Sequence, residues 1–292
     1  MENPTVITDR QLDLLIDVVR RNYSYDFSDF GKPTMQRRVS AVMTELKSAS
    51  FDELLERIAH EEDIFLKILR GLSINVTSLF REPKMFLYLR QHIFPRLASY
   101  PNIRIWSAGT STGEEAYSLA ILLQETGLAD RAQIYATDFN PVIIKTAAQG
   151  KIPLKKMAEY TRNYQLSGGM HSLSRYYSTS QDHAWFEKSL KDNIVFSTHN
   201  LTTDGVINEF QLILCRNVLI YFNAEGQAKK LQLFRNSLTL NGYLCLGQSE
   251  SLRYAPANLQ PGSCFEAVNE ELKIYQCRPA NGNFKALERQ NH

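Results

Sequence analysis

The sequence predicts an all-α N-terminal region followed by a doubly wound α/β domain. Three observations carry this. Over roughly the first hundred positions, apolar residues recur only with helical period. After Pro101, short apolar runs alternate with helical stretches, the rhythm of a parallel sheet covered by helices on both faces. The chain has 292 residues, 43% apolar and 22% charged, enough for one or two cored domains, which excludes wholesale disorder.

The elements follow in order. Thr8 and Gln11 form a capping-box pattern before Leu12, Leu15, Ile16 and Val19 on one helical face. Pro33 suits the start of a second helix bearing Met35, Val39, Val42, Met43 and Leu46. Ser50 and Glu53 repeat the capping pattern before Phe51, Leu54, Leu55 and Ile58. Ile64, Phe65, Ile68, Leu69 and Leu72 mark a fourth helix. Phe86, Leu89, Ile93 and Phe94 mark a connecting helix over 81–100, after a helical domain over 1–80. In the domain expected over 101–280, Ile103–Ala108, Gln133–Thr137, Ile194–Thr198, Phe210–Cys215 and Tyr243–Gly247 read as strands. Glu114–Gln124, Pro141–Gln149 and Ala224–Leu238 read as helices. Cys264–Val268 and Leu272–Cys277 flank a hairpin turn. Residues 151–192 fit no simple βα unit, and their Tyr176, Tyr177, Trp185 and Phe186 suggest a small inserted subdomain. Residues 281–292 read as a disordered tail.

Composition narrows the function. Lys and Arg number 33 against 31 Asp and Glu, a net charge of +2, so nothing supports a nucleic-acid-coating role. No 18-residue apolar run and no signal-peptide pattern are present, so neither a membrane span nor secretion is expected. The four cysteines never reach CxxC spacing and the six histidines show no ligand or triad spacing. No metal is expected, and reduced cytoplasmic thiols are the plain reading.

The chemistry gathers at strand ends, where open α/β sheets bind ligands. WSAGTSTGEEAYS runs from strand through Gly109 and Gly113 into a helix. Glycine there admits a ligand to the backbone. The spacing is GxxxG and not GxGxxG, which disfavours a nicotinamide-dependent oxidoreductase. Glu114 and Glu115 suit a helix N-terminus but repel a pyrophosphate, so a cationic or hydroxyl-rich ligand fits better. Asp138, in ATDFNP, stands where such folds set an acid on a ribose diol, although capping the next helix is the alternative. Arg216 and Asn217 end a buried strand and face the same cleft, with Tyr221 just beyond. A structural ion pair is the commoner fate of one such Arg. Asn75, Thr77 and Arg81, in NVTSLFRE, could lean over the cleft or merely cap a helix.

In order, NVTSLFRE, WSAGTSTGEEAYS, ATDFN, CRNVLIYF and LGQSES closely resemble the motifs of the CheR family over roughly residues 8–278. These are S-adenosylmethionine-dependent methyltransferases that esterify glutamates on bacterial chemoreceptors. The resemblance implies a Rossmann-like methyltransferase sheet, an N-terminal all-α domain and a small inserted antiparallel β subdomain. It implies cofactor contacts at Asn75, Thr77, Arg81, Glu114, Asp138, Asn200, Leu201 and Asn217, with Gly109 and Arg216 beside them. It places Arg81 and Tyr221 near the reacting carboxylate, and Arg37 and Arg38 toward a chemoreceptor's cytoplasmic helical bundle. S-adenosylhomocysteine would be the second product.

Two departures stand out. Family members that dock on a receptor's C-terminal pentapeptide carry a Gly-rich loop, whereas YYSTSQDHAWFEKS has no glycine, so tether docking is not expected. The second helix carries Ala41, Val42 and Thr44 where further basic residues are common, and residues 1–75 hold ten Lys and Arg against thirteen Asp and Glu. Any electrostatic grip on a receptor must then be local. A methyltransferase of another substrate, or a non-catalytic cofactor-binding module, remains as an alternative.

Overall fold

The computed structural model describes residues 6–73, 77–260 and 262–279. The first four helices are α1 (Asp9–Tyr23), α2 (Lys32–Leu46), α3 (Phe51–His60) and α4 (Glu62–Leu72). Thr8 and Gln11 close the capping box: the Gln11 N–H donates to Thr8 Oγ1 at 3.3 Å and the Thr8 N–H to Gln11 Oε1 at 3.0 Å. Ser50 caps α3, but the Glu53 carboxylate accepts from the N–H of Ala49, one residue earlier than the pattern implies. The apolar stripes of all four helices meet in one core that includes Leu12, Val39, Leu54 and Leu69.

The connecting segment is not one helix. It comprises α5 (Pro83–Tyr88), a π turn at Leu89–Ile93 and α6 (Phe94–Leu97). Pro95 has no N–H to return to the preceding turn, and the Phe94 N–H reaches five residues back to Leu89.

The second domain follows as β1 (Ile103–Ala108), α7 (Glu114–Glu125), β2 (Ala132–Asp138) and α8 (Pro141–Gln149). The insertion comprises β3 (Lys151–Pro153), α9 (Met157–Leu166), β4 (Tyr177–Ser180), β5 (His183–Phe186) and α10 (Lys188–Lys191). Then come β6 (Ile194–Thr198), β7 (Phe210–Cys215), α11 (Ala224–Ser237), β8 (Leu238–Leu246), β9 (Phe265–Asn269) and β10 (Ile274–Cys277). The main sheet has the order β6-β2-β1-β7-β8-β10-β9, and the insertion makes an antiparallel sheet ordered β3-β5-β4. The strands β6, β2, β1, β7 and β8 pair in parallel; β10 is antiparallel to both neighbours.

β8 starts five residues before the expected strand. Asn241–Gly242 looks like a turn, but the structure absorbs it as an irregularity in the β7–β8 register, with Asn241 at φ 64°. All six residues of β7 are buried, as a central strand covered on both faces requires. Chain order reverses direction between β1 and β7, so their carboxyl ends open a crevice. The tail expected over 281–292 lies outside the described residues.

Candidate functional site

The crevice is walled by the ends of β1, β2, β6 and β7 and roofed by the helical domain. β1 runs into Gly109 at φ 75°, where an added Cβ would stand 2.4 Å from the Val218 side chain. Glycine alone keeps this floor open. The Gly109 and Thr110 N–H groups both donate to the Thr137 carbonyl, at 2.8 and 2.9 Å, fixing the turn to β2. β2 ends in Asp138. Its carboxylate accepts from the N–H groups of Ser111, at 3.0 Å, and Asn140, at 3.1 Å. Burial raises its pKa, and the backbone donors oppose that rise. Asn140, and not Asp138, caps α8, accepting from the N–H groups of Val142 and Ile143.

β6 delivers His199, Asn200 and Leu201 to the cleft, and β7 delivers Arg216 and Asn217. Asn217 sits at φ 59°. Its turn is held from behind by Glu250, whose carboxylate accepts from the N–H groups of Asn217, Val218, Ile220 and Gly247. Burial raises the Glu250 pKa against those donors.

Thr77, Arg81, Gly109, Asp138, Asn200, Leu201, Arg216, Asn217 and Tyr221 all line this cleft. Asn75 lies outside the described residues. Glu114 is not among the residues lining the cleft. Its buried carboxylate accepts from Tyr160 at 3.0 Å and Thr112 at 2.5 Å, with Lys156 at 3.6 Å, which ties α7 to the insertion. The acid at the cleft is its neighbour Glu115, which accepts from Ser107 at 2.8 Å and pairs with Arg216 at 3.1 Å. Adjacent helical residues point about 100° apart. The packing of α7 therefore decides which acid lines the cleft.

Arg216 lines the cleft but works chiefly as a brace. Its guanidinium pairs with Glu82 at 2.8 Å and with Glu115, and donates to the Arg81 carbonyl at 2.9 Å. Burial opposes its charge, and the two glutamates more than offset that cost. Arg38 also departs from expectation. It turns inward to donate to the carbonyls of Gly71 and Leu72, and its guanidinium carbon lies 5.8 Å from the Tyr221 ring centroid. Arg37 remains exposed on α2.

Several lining groups carried no usable sequence signal. Phe30 joins the cleft from the connection between α1 and α2. His199 is buried; its Nε2 lies 3.1 Å from the Gly205 carbonyl, a contact that fixes the proton on Nε2, and Nδ1 has no partner. The hydroxyls of Thr110 and Ser111 are likewise buried without partners. Glu250 was visible only as part of LGQSES.

These residues fit S-adenosylmethionine. Asp138 matches a ribose diol and Glu115 a cationic end. Leu201, Phe139 and Val218 supply apolar wall for a base. The unpartnered Thr110, Ser111 and His199 atoms need donors or acceptors that a bound polar molecule provides.

Residues 75–266 match the CheR methyltransferase SAM-binding domain, and residues 10–73 match the CheR methyltransferase all-alpha domain. The Pseudomonas putida protein called Cher3, a methyltransferase by name, is 42% identical over 85% of this chain and 91% of its own length. A chemotaxis protein methyltransferase of Listeria monocytogenes is 32% identical over 80% of this chain and 87% of its own. Chemotaxis protein methyltransferase 1 of Pseudomonas aeruginosa is 29% identical over 79% and 86%. With its strand-end cleft, its helical roof and both of its domains matched by one family, this chain belongs to the CheR methyltransferases, which bind S-adenosylmethionine.

Proposed function

We propose that this chain methylates glutamate side-chain carboxylates on the cytoplasmic helical bundle of a bacterial chemoreceptor, giving γ-glutamyl methyl esters and S-adenosylhomocysteine. The relatives named as chemotaxis methyltransferases support that setting. When bound, S-adenosylmethionine supplies an electrophilic methyl group on a sulfonium. Thr77, Asp138, Asn200, Leu201 and Asn217 would hold it, with Gly109 leaving room and Glu115 facing its positive charge.

One observation carries the reading. Arg81 and Tyr221 line the same cleft, and the charges of Arg81 and Arg38 both act on the Tyr221 hydroxyl. Burial raises the Tyr221 pKa above its ordinary value and outweighs both cations, so the hydroxyl stays protonated at neutral pH and can donate. This pairing of a cation with a phenol suits an anionic acceptor. Arg81 would grip one carboxylate oxygen and leave the other exposed. Tyr221 would fix the far side of the same group.

A glutamate is already ionised at neutral pH and needs no strong base. The lining groups agree with that. Glu115 is paired with Arg216, and Asp138 accepts two backbone N–H groups. Proximity and orientation are then the protein's main contribution, on a scale of roughly 10⁵–10⁸ M in effective concentration.

The test uses radiolabelled methyl donor and membranes carrying the host's own chemoreceptors. Esters release volatile methanol in alkali; N-methyl and ether products do not. Arg81→Ala should lower turnover at least tenfold with little effect on folding. Tyr221→Phe should slow turnover while cofactor affinity holds. Label that stays non-volatile would exclude ester formation, and an Arg81→Ala variant as fast as wild type would overturn the residue roles.

A further inference from the structure

We propose that Asp29 is a positioning residue for methyl transfer: it anchors the α1–α2 connection to α11, and that connection holds Tyr221 at the cleft. The inference rests on the role given to Tyr221 above.

Asp29 and Lys230 are 5% and 1% exposed, and they pair at 2.5 Å across the boundary between the two domains. Lys229, half-exposed, pairs with the other carboxylate oxygen at 3.0 Å. Backbone contacts continue the link directly onto the Tyr221 segment. The Asn223 N–H donates to the Asp29 carbonyl at 2.8 Å, and the Gly31 N–H donates to the Tyr221 carbonyl at 2.8 Å. Phe30 and Phe222 form an antiparallel bridge between these bonds, with ring centroids 4.6 Å apart. The approach is close enough that a Cβ on Gly226 would stand 2.6 Å from the Asp29 carbonyl oxygen.

Tyr221 is thus held by a short two-stranded contact supplied by the helical domain. On its other side Glu250 accepts from the N–H groups of Val218 and Ile220, and Tyr221 itself ends a single 3₁₀ turn, Leu219–Tyr221, with exposed Ile220 beside it. A buried ammonium without its carboxylate is strongly unfavourable, so removing the Asp29 charge should release the connection. Tyr221 would then lose its fixed place, while Asp138, Asn200 and Asn217 keep theirs.

The experiment compares wild type, Asp29→Asn, the double variant Asp29→Leu/Lys230→Met and Tyr221→Phe. Turnover is measured with host receptor membranes at saturating donor, donor affinity by isothermal titration, and backbone order by hydrogen exchange over residues 219–227. Asp29→Asn should turn over at least tenfold more slowly, bind the donor within twofold of wild type and exchange faster over 219–227. The double variant replaces the pair with apolar packing and should recover most of the turnover.

Unchanged exchange and turnover in Asp29→Asn would overturn the proposal. So would a proportional loss of donor affinity and turnover, which marks general destabilisation, or a folded double variant as slow as the single one. Should Asp29→Asn fail to fold, Lys229→Ala should show the same pattern at about two- to fivefold, and unchanged exchange there would overturn the proposal. Wild-type turnover in Tyr221→Phe would instead refute the role of Tyr221 itself, whatever Asp29 does.

Discussion

Asp138 is buried and its two oxygens each hold a backbone N–H, so its position is set before any ligand arrives. Asp138→Ala should weaken S-adenosylmethionine binding by about 1.5–3 kcal/mol, the range for hydrogen bonds to charged groups. Isothermal titration checks this, and wild-type affinity would remove the ribose assignment. Glu115→Gln should also weaken binding, whereas Glu114→Gln should keep affinity and lower the melting temperature, because its partners are Tyr160 and Thr112. That contrast shows where the sequence stops being legible. A strand-end acid such as Asp138 can be placed from spacing, because strand ends converge on one crevice. Two adjacent acids opening a helix cannot be told apart, because the rotation of α7 is set by the packing of Tyr117, Leu119 and Ala120, which is non-local. Arg37 and Arg38 pose the same problem. One faces solvent and the other turns toward carbonyls more than thirty residues away.

At the scale of elements, helix starts and strand runs were legible, because caps and apolar period act over a few residues. The π turn at Leu89–Ile93 was hidden, since its apolar residues keep a nearly helical period. It carries Arg90, which pairs with Glu125 at the end of α7 at 2.5 Å, and the same carboxylate accepts from Tyr164 and Tyr176. Burial pushes the Glu125 pKa up, but the hydrogen bonds from Tyr164 and Arg90 outweigh it and hold the carboxyl below its ordinary value. Its contribution to stability is therefore full above the unfolded carboxylate pKa, near 4, and is lost as pH falls through the lower folded value. Glu125→Gln should be less stable than wild type at pH 7, and the gap should close as pH falls below about 4. Thermal unfolding of both proteins across that range tests the sign. A gap that widens in acid would show that the carboxyl is not held ionised.

For the whole molecule, the expected docking mode can be tested directly. β4 and β5 are joined through Gln181 and Asp182 alone, a connection without glycine, in keeping with the expectation that no tether is needed. The full-length chain should form no saturable micromolar complex with a receptor C-terminal pentapeptide in fluorescence anisotropy; such a complex would overturn the tether-independent reading. Recognition would then rest on the helical domain, with Arg37 as an exposed contact. The seam between the two domains bears on how such proteins can diversify. Asp29, Phe30 and Gly31 on one side meet Tyr221, Phe222 and Lys230 on the other, and Phe30, Tyr221 and Phe222 line the cleft. A recombination breakpoint in the linker would look harmless by domain boundaries. It would nonetheless join a roof to a floor with unmatched hydrogen bonds and an unpaired buried ammonium. If receptor recognition rests on the helical domain as proposed, new specificity would be reached more readily by substitutions on the outer face of α2 than by exchange of the whole helical domain.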